Sequence, residues 1–361
     1  MKVLNIINSL RAGGAEKLLV DALKIYKEKQ IEVDLLLLDG IETDFYQRVK
    51  NIEGIKIFTL GSKNNIYSLS HIAKIRKIIR SYDIVHAHLF PTFYFLALAK
   101  LSTKSKCKLV YTEHNTTNRR RKSKILKVID HYIYKQYDVI VSISDAVHES
   151  LSHYLGPKIS RNLRKVYNGI NLEEIKIAEP YTKEELGFNS SDKLLLQVSS
   201  FSKQKDQITV IRALKHLKNN VHLILVGEGD TREEHERFAK DEGLANRVHF
   251  LGYRNDIPNL LKTVDLVILS SHFEGLSLAS IEGMASTKPF IASDVPGLGD
   301  VVKNAGILFK ECDDRKLAEK VNFLLQDSDK YRSIANQCLE RSKLYDIRKM
   351  VSSYMDLYKS L

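Results

Sequence analysis

The sequence predicts a two-domain α/β fold in which each domain is a parallel sheet wrapped by helices. Three observations carry that prediction. At 361 residues the chain exceeds the usual size of one hydrophobic core. Short apolar strands alternate with helical stretches in both halves, the pattern of βαβ units. Between the halves, composition shifts after Asn168-Gly169-Ile170-Asn171, and residues 172–188 are polar and carry Pro180, as a linker would.

In the first half, Val3–Ile7 and Val33–Leu38 read as strands separated by the helical stretch Glu16–Lys29. Ile84–Ala87, Leu109–Thr112 and Val139–Ser142 are further short apolar strands, with helical patterns at 67–80, 93–101 and 123–135. In the second half the strands are Leu194–Val198, Val221–Val226, Val248–Leu251, Val264–Leu269 and Phe290–Ala292, with helices at 206–218, 231–242 and 278–286. Residues 341–361 read as a helix with Leu344, Ile347, Met350, Val351, Tyr354 and Leu357 on one face. The expected division is a Rossmann-like domain at 1–170, a linker at 171–189, a second Rossmann-like domain at 190–340, and a helix at 341–361 that packs back on the first domain.

Three scattered cysteines, Cys107, Cys312 and Cys338, show no metal-like spacing and fit a reducing compartment. Lys2 is followed by an apolar run ending at Asn5, a first strand rather than a leader, and the stretch Leu89–Ala99 is too short to span a bilayer. A cytosolic protein is expected. Charge is one-sided: residues 1–170 hold 29 Lys+Arg against 15 Asp+Glu, whereas residues 171–361 hold 27 against 29. Such a field favours a polyanionic partner, and no aromatic platform or known module supports nucleic acid.

The most informative stretch is Ser270 to Glu282. It follows the strand ending at Leu269 and carries Glu274 and Gly275 on a loop, then Glu282 on a helix. Ligands of open α/β sheets bind at the carboxyl ends of strands, facing helix N-termini. Two carboxylates there suit a ligand that is both anionic and rich in hydroxyls. Lys203 and Lys205 follow the first strand of the second half, beside a helix start, a natural place for a diphosphate. Gly13 and Gly14 let backbone amides of the first strand-to-helix turn approach a ligand, without the spacing of a dinucleotide fingerprint. His86, His88 and His114 close strands of the first half. No Cys or Asp cluster joins them, so no metal is assigned. Asp327-Ser328-Asp329 falls between helices and reads as a turn.

Arg119, Arg120, Arg121, Lys122, Lys124 and Lys127 place six cations in nine residues ahead of the apolar positions Ile125, Ile129, Tyr132 and Ile133. The stretch 67–80 mixes Leu69, Ile72, Ile75 and Ile79 with Lys74, Arg76, Lys77 and Arg80. Basic amphipathic helices of this kind suggest peripheral contact with an anionic membrane, at about 1 kcal/mol per nearby cation.

Taken in order, these motifs resemble glycosyltransferase family 4, a group of GT-B enzymes. The resemblance rests on Gly13-Gly14-Ala15-Glu16, Asp83–His88, Tyr111–His114, Asn168-Gly169-Ile170, the Lys205 loop, Leu225–Gly229, Glu274 through Glu282 and the Asp294–Asp300 turn. It implies two sheets facing across a cleft and transfer of a sugar from a nucleotide-sugar, with retention and without a bound metal or other cofactor. It further implies that Glu282 holds the ribose, that Glu274 lies beside the transferred sugar, and that backbone amides of Gly275, Leu276 and Ser277 touch its hydroxyls. By the same resemblance His114 approaches the sugar, Lys205 binds the diphosphate, Glu228 belongs to the donor motif, and Tyr253-Arg254 frames the base. The chain departs from the family at Ser199-Ser200, where Gly-Arg is usual, leaving Lys203 to compensate or donor affinity lower. The expected acceptor is a saccharide or lipid-linked saccharide at the cytosolic membrane face, in cell-surface polysaccharide synthesis. Two rivals stay open: an epimerase or other enzyme on the same architecture, and a non-catalytic scaffold.

Overall fold

The computed structural model describes all residues except 12, 62–64, 115–120 and 122. The chain forms two compact units, Met1–Gly169 with Ile347–Leu361, and Ile170–Asp346.

The first unit holds seven strands: β1 (Lys2–Ile7), β2 (Glu32–Asp39), β3 (Ile57–Gly61), β4 (Ile84–His88), β5 (Lys108–Glu113), β6 (Val139–Ser142) and β7 (Leu163–Lys165). Their order is β3-β2-β1-β4-β5-β6-β7, every pair parallel. Helices cover both faces of such a sheet, so its strands read as continuous apolar runs; Val33 and Leu35–Leu38 are all fully buried. The chain winds outward from β1 through β2 and β3, then returns to the other side of β1 at β4. The carboxyl ends of β1 and β4 therefore flank the topological switch point, where ligands of such sheets bind.

The second unit has β8 (Lys193–Val198), β9 (Val221–Val226), β10 (Val248–Gly252), β11 (Leu266–Leu269), β12 (Phe290–Ser293) and β13 (Ile307–Phe309), ordered β10-β9-β8-β11-β12-β13 and parallel throughout. Its switch point lies between β8 and β11, so the loops beginning at Ser199 and Ser270 meet there. That topology is what places Lys205 and Glu274 together.

Several elements differ from the sequence reading. Strands β3, β7 and β13 are too short or too mixed in composition to show as apolar runs. Residues 171–189 are not a free linker: Leu172–Ile177 is helical, Tyr181 Oη donates to Asp256 (2.7 Å), and Lys183 pairs with Asp265 (2.8 Å), all within the second unit. The helix read at 341–361 starts at Ile347, after a helix Ser328–Ser342 that stays with the second unit. It buries Ile347, Met350, Val351, Tyr354 and Tyr358 in the first unit, while Leu344 is exposed. Tyr358 stacks on Tyr26 of the helix Gly14–Glu28, with ring centroids 6.3 Å apart. Asp327 is the N-cap of the helix Ser328–Ser342, accepting from the Asp329 and Lys330 amides, which accounts for the Asp-Ser-Asp pattern.

Candidate functional site

The second-unit site is built on two loops pinned by a polar core. Gln197, fully buried on β8, donates from Nε2 to the Lys205 carbonyl (3.0 Å). Ser270 Oγ, at the end of β11, lies 3.0 Å from Gln197 Oε1 and 2.8 Å from the Asp206 carbonyl. His272 N–H donates to the Gln204 carbonyl (2.8 Å), and Gln204 Nε2 donates back to the Phe273 carbonyl (2.8 Å). These bonds set the geometry of the pair that follows.

Lys205 Nζ reaches Glu274 Oε1 at 2.5 Å, with side chains only 17% and 7% exposed. Ser271 Oγ donates to the same carboxylate oxygen at 2.6 Å. A cation and a hydroxyl both face this enclosed carboxylate and offset the loss of its hydration. The two residues are 69 positions apart. The Asp294–Asp300 turn closes over them: Glu274 N–H donates to the Pro296 carbonyl (3.2 Å). Gly297 has φ +80°, and a Cβ there would lie 2.1 Å from the Glu274 carbonyl oxygen. Only glycine permits that approach. Gly227 and Gly229 do the same for the loop after β8, where a Cβ would meet the Ser199 or Phe201 carbonyl at 2.1 or 2.2 Å.

Glu282 is buried on the helix Leu278–Ala285, among Val198, Ile257, Leu261, Leu269 and Ala279. That helix is capped by Ser277, whose Oγ accepts from the Ser280 amide (3.4 Å), so the Ser277 hydroxyl already has a structural task. Leu276 is buried and packs the same loop. Lys203 is exposed. At the family's Gly-Arg position the structure has Ser199 Oγ accepting from Gln197 and Gln207 Nε2 (3.2 and 3.0 Å), and no cation.

Of the residues assigned to the base and the donor motif, Arg254 and Glu228 already have ion-pair partners. Arg254 forks onto Asp256 through Nε (2.8 Å) and Nη2 (2.5 Å), and that pairing with help from Tyr181 holds the Asp256 carboxyl down to about 2. Glu228 is paired with Arg232. Tyr253, next to Arg254 in the chain, is half-exposed.

In the first unit, the carboxyl ends of β1, β4 and β5 gather a histidine network. His86 Nδ1 meets Tyr358 Oη (2.6 Å) and its Nε2 meets Thr112 Oγ1 (2.7 Å). His88 Nε2 faces Asn5 Oδ1 (3.2 Å), and His88 Nδ1 faces His114 Nε2 (3.3 Å). If the Asn5 oxygen accepts, His88 is protonated at Nε2, His114 donates from its own Nε2, and the His114 Nδ1 lone pair is left as an acceptor. Burial keeps all three rings neutral, pushing His86 down to about 3 and His114 to about 4, with His88 also far below its usual value. A cavity of about 20 Å³, lined by these histidines with Asn5, Tyr26 and Tyr354, has room for one water. The sequence reading placed Tyr354 on a packing face and Asn5 in a strand but missed their part, and that of Tyr358, in this network, because their partners lie far along the chain.

Gly13 and Gly14 open the helix Gly14–Glu28, and Glu16 folds back so that a Cβ at Gly13 would come 2.3 Å from its carboxylate. Burial pushes the Glu16 carboxyl up.

The basic surface divides. Arg119, Arg120 and Lys122 lie outside the described residues. Arg121 is not a surface cation: its guanidinium is 10% exposed, meets the buried Glu113 carboxylate at 2.9 Å and sits over the Tyr154 ring. The stretch read at 67–80 turns Ile75 and Ile79 into the core, so it is a core-facing helix with a solvated rim. The helix Lys124–Tyr134, opened by Lys124, differs. It leaves Ile125, Val128, Ile129 and Tyr132 43–76% exposed, with Lys127 and Lys135 also exposed. No helix among the described residues is long and apolar enough to cross a membrane.

Comparison with known proteins adds sequence and fold relatives. Residues 12–174 match the family model described as Glycosyltransferase Family 4, and residues 179–341 match that described as Glycosyl transferases group 1. N-acetyl-alpha-D-glucosaminyl L-malate synthase of Bacillus anthracis is 28% identical over 305 residues, 81% of this chain and 79% of the relative. UDP-Gal:alpha-D-GlcNAc-diphosphoundecaprenol alpha-1,3-galactosyltransferase of Escherichia coli is 26% identical, covering 96% of this chain and 93% of the relative. Anabaena Alr3699/HepE, solved in complex with UDP-glucose, superposes over 100% of both chains with a TM-score of 0.84 at 24% identity, a likeness of fold.

Proposed function

The chain belongs to glycosyltransferase family 4 and has the GT-B fold, and from that premise we propose that it moves a sugar, with retention of anomeric configuration, from a nucleotide-sugar to a saccharide or lipid-linked saccharide. The observation that carries the proposal is the enclosed Lys205–Glu274 pair at the switch point of the second sheet. A cation held at a strand end beside a helix start suits a diphosphate, and a neighbouring carboxyl group suits sugar hydroxyls.

In this reading Lys205 turns from Glu274 toward the diphosphate as the sugar bond breaks, stabilising the negative charge on the departing group. Lys203, exposed beside it, supplies the second cation where the family arginine is missing. Glu282 binds the ribose, Gly275, Leu276 and Ser277 offer backbone amides to the sugar, and Tyr253 stacks on the base. Gly13 and Gly14 keep their assignment to the donor. His114 acts as a neutral hydrogen-bonding group. The cations named here take the place that a divalent ion fills in metal-dependent transferases, so no metal is assigned to the chemical step. Arg254 and Glu228 contribute only by exchanging their present partners, a lesser role than the sequence suggested.

The E. coli relative's name specifies a diphosphoundecaprenol-linked acceptor, and Anabaena HepE was solved with UDP-glucose. The first supports a nucleotide-sugar donor and a lipid-linked acceptor, and the second a nucleotide-sugar donor. The exposed apolar face of Lys124–Tyr134, with its flanking lysines, supports peripheral contact with an anionic cytosolic membrane. A thermal-shift screen of nucleotide-sugars on the wild type, Glu282→Gln and Glu274→Gln tests the assignment. Glu282→Gln should weaken nucleotide binding generally, whereas Glu274→Gln should spare the nucleotide and lower transfer. Unchanged binding and transfer in both variants would sink it.

A further inference from the structure

Beside the Lys205–Glu274 pair lies a second constellation that the proposed transfer does not use. Asp206, His272 and Cys312 each bring one ligand atom to a common point, and those atoms all lie within 4.8 Å of one another. The three residues come from separate segments: the loop after β8, the loop after β11 and the loop after β13. The parallel topology gathers all three at the carboxyl edge of one sheet.

The chemistry of the set is selective. A thiol, an imidazole and a carboxylate form a donor set for zinc-class ions, whereas magnesium and calcium favour oxygen alone. His272 has a carboxylate partner on one ring nitrogen. Its Nδ1 faces Glu311 Oε1 at 2.5 Å. If Nδ1 donates to that carboxylate in the neutral ring, the lone pair is on Nε2. Carboxylate–imidazole pairs of this kind orient histidines at zinc sites. Thr209 Oγ1 donates to Asp206 Oδ2 at 2.6 Å and steadies that carboxylate. Cys312 is exposed, while Cys107 and Cys338 are buried. Asp206 and Cys312 both adopt positive φ, 45° and 60°, conformations that non-glycine residues hold mainly where the surroundings enforce them.

We propose that Asp206, His272 and Cys312 bind one zinc-class divalent ion through carboxylate, imidazole and thiolate, with Glu311 behind the histidine and a fourth position left to water. The ion acts as a clip. Lys205 directly precedes Asp206, and Glu274 lies two residues after His272, so fixing these ligands fixes both halves of the donor pair without contact with donor or acceptor. The proposal does not rest on sugar transfer, and its test uses neither nucleotide nor acceptor.

The full chain is stripped with a chelator, then titrated with Zn²⁺ against a chromophoric competitor and, separately, with Co²⁺ as an optical probe. The expected result is one equivalent of tightly bound zinc, a thiolate-to-cobalt charge-transfer band, and a zinc-dependent rise in unfolding temperature. Cys312→Ser should abolish the band, and both Cys312→Ser and His272→Asn should weaken zinc at least tenfold. Circular dichroism of each stripped variant establishes that it is folded. Absence of the band in the wild type overturns the proposal. So does zinc binding that survives both substitutions unchanged, which marks adventitious surface binding only.

Discussion

Replacing Lys205 by Met removes the ammonium from the Glu274 carboxylate and leaves Ser271 as its remaining named donor. Removing one partner of a buried ion pair costs about 3–5 kcal/mol, because the other charge stays desolvated. Lys205 is 17% exposed, so the site is not fully dry and the lower end applies, about 3 kcal/mol. For a unit of this size each kcal/mol moves the melting temperature by about 2–4 °C, so Lys205→Met should lower the second unit's transition by about 6–12 °C. Glu274→Gln is milder, at about 1–2 kcal/mol, since the lysine left behind can swing its charge to water. The double variant should be more stable than the sum of the two losses by about 2 kcal/mol, the coupling expected of residues in contact. Differential scanning calorimetry of the four proteins, with urea titrations as a second measure, reads the cycle. A Lys205→Met transition within about 2 °C of wild type would refute the reasoning, since such shifts belong to ion pairs screened by water.

Other expectations follow from the same geometry. Gly297→Ala, which forces a Cβ onto the Glu274 carbonyl at positive φ, should cost about 3 kcal/mol or more in the second unit; a thermal scan matching wild type would contradict the close approach. Arg121→Met should strip the buried Glu113 of its guanidinium and lower the first unit's stability by about 3 kcal/mol. In vesicle flotation it should behave as wild type, whereas Val128→Asp with Ile129→Asp should release the protein; retention of that double variant on anionic vesicles would remove the helix from the membrane contact. The folded state holds His86 neutral down to about 3 and His114 to about 4, while their unfolded counterparts protonate near 6.5. Stability should therefore be full above about pH 6.5 and fall as pH drops toward those values, by up to about 1.4 kcal/mol per pH unit for a fully buried histidine such as His86. Urea midpoints of the first unit that match at pH 7 and pH 5 would show these rings titrating normally.

Much of this architecture is written locally. Val33–Leu38 and Leu194–Val198 are apolar throughout because both faces of a parallel sheet are buried, and that signal needs no tertiary information. Glu274 and Glu282 announced themselves by sitting just beyond such a run, where ligands bind. Lys205 was legible for the same reason. Strands β3, β7 and β13 were not, since short edge strands carry little apolar signal. The linker reading of 171–189 failed because its polar side chains are spent on Asp256 and Asp265, contacts more than seventy residues away.

What the sequence by itself determined is the period and order of the elements, and with them the two parallel sheets and the strand ends on which the candidate site residues stand. Which side chains meet at those ends was decided only by tertiary structure. The switch between β8 and β11 joins Lys205 to Glu274, the turn at Gly297 closes on that pair, and the path of the last helix brings Tyr358 to His86. Tertiary packing also withdrew Arg121 from the surface, between Glu113 and the Tyr154 ring, and brought Cys312 beside His272 and Asp206. A cation run or a lone cysteine reads alike in one dimension whether it faces water, a carboxylate or a metal. Burial and partner decide between them, and both are properties of the fold.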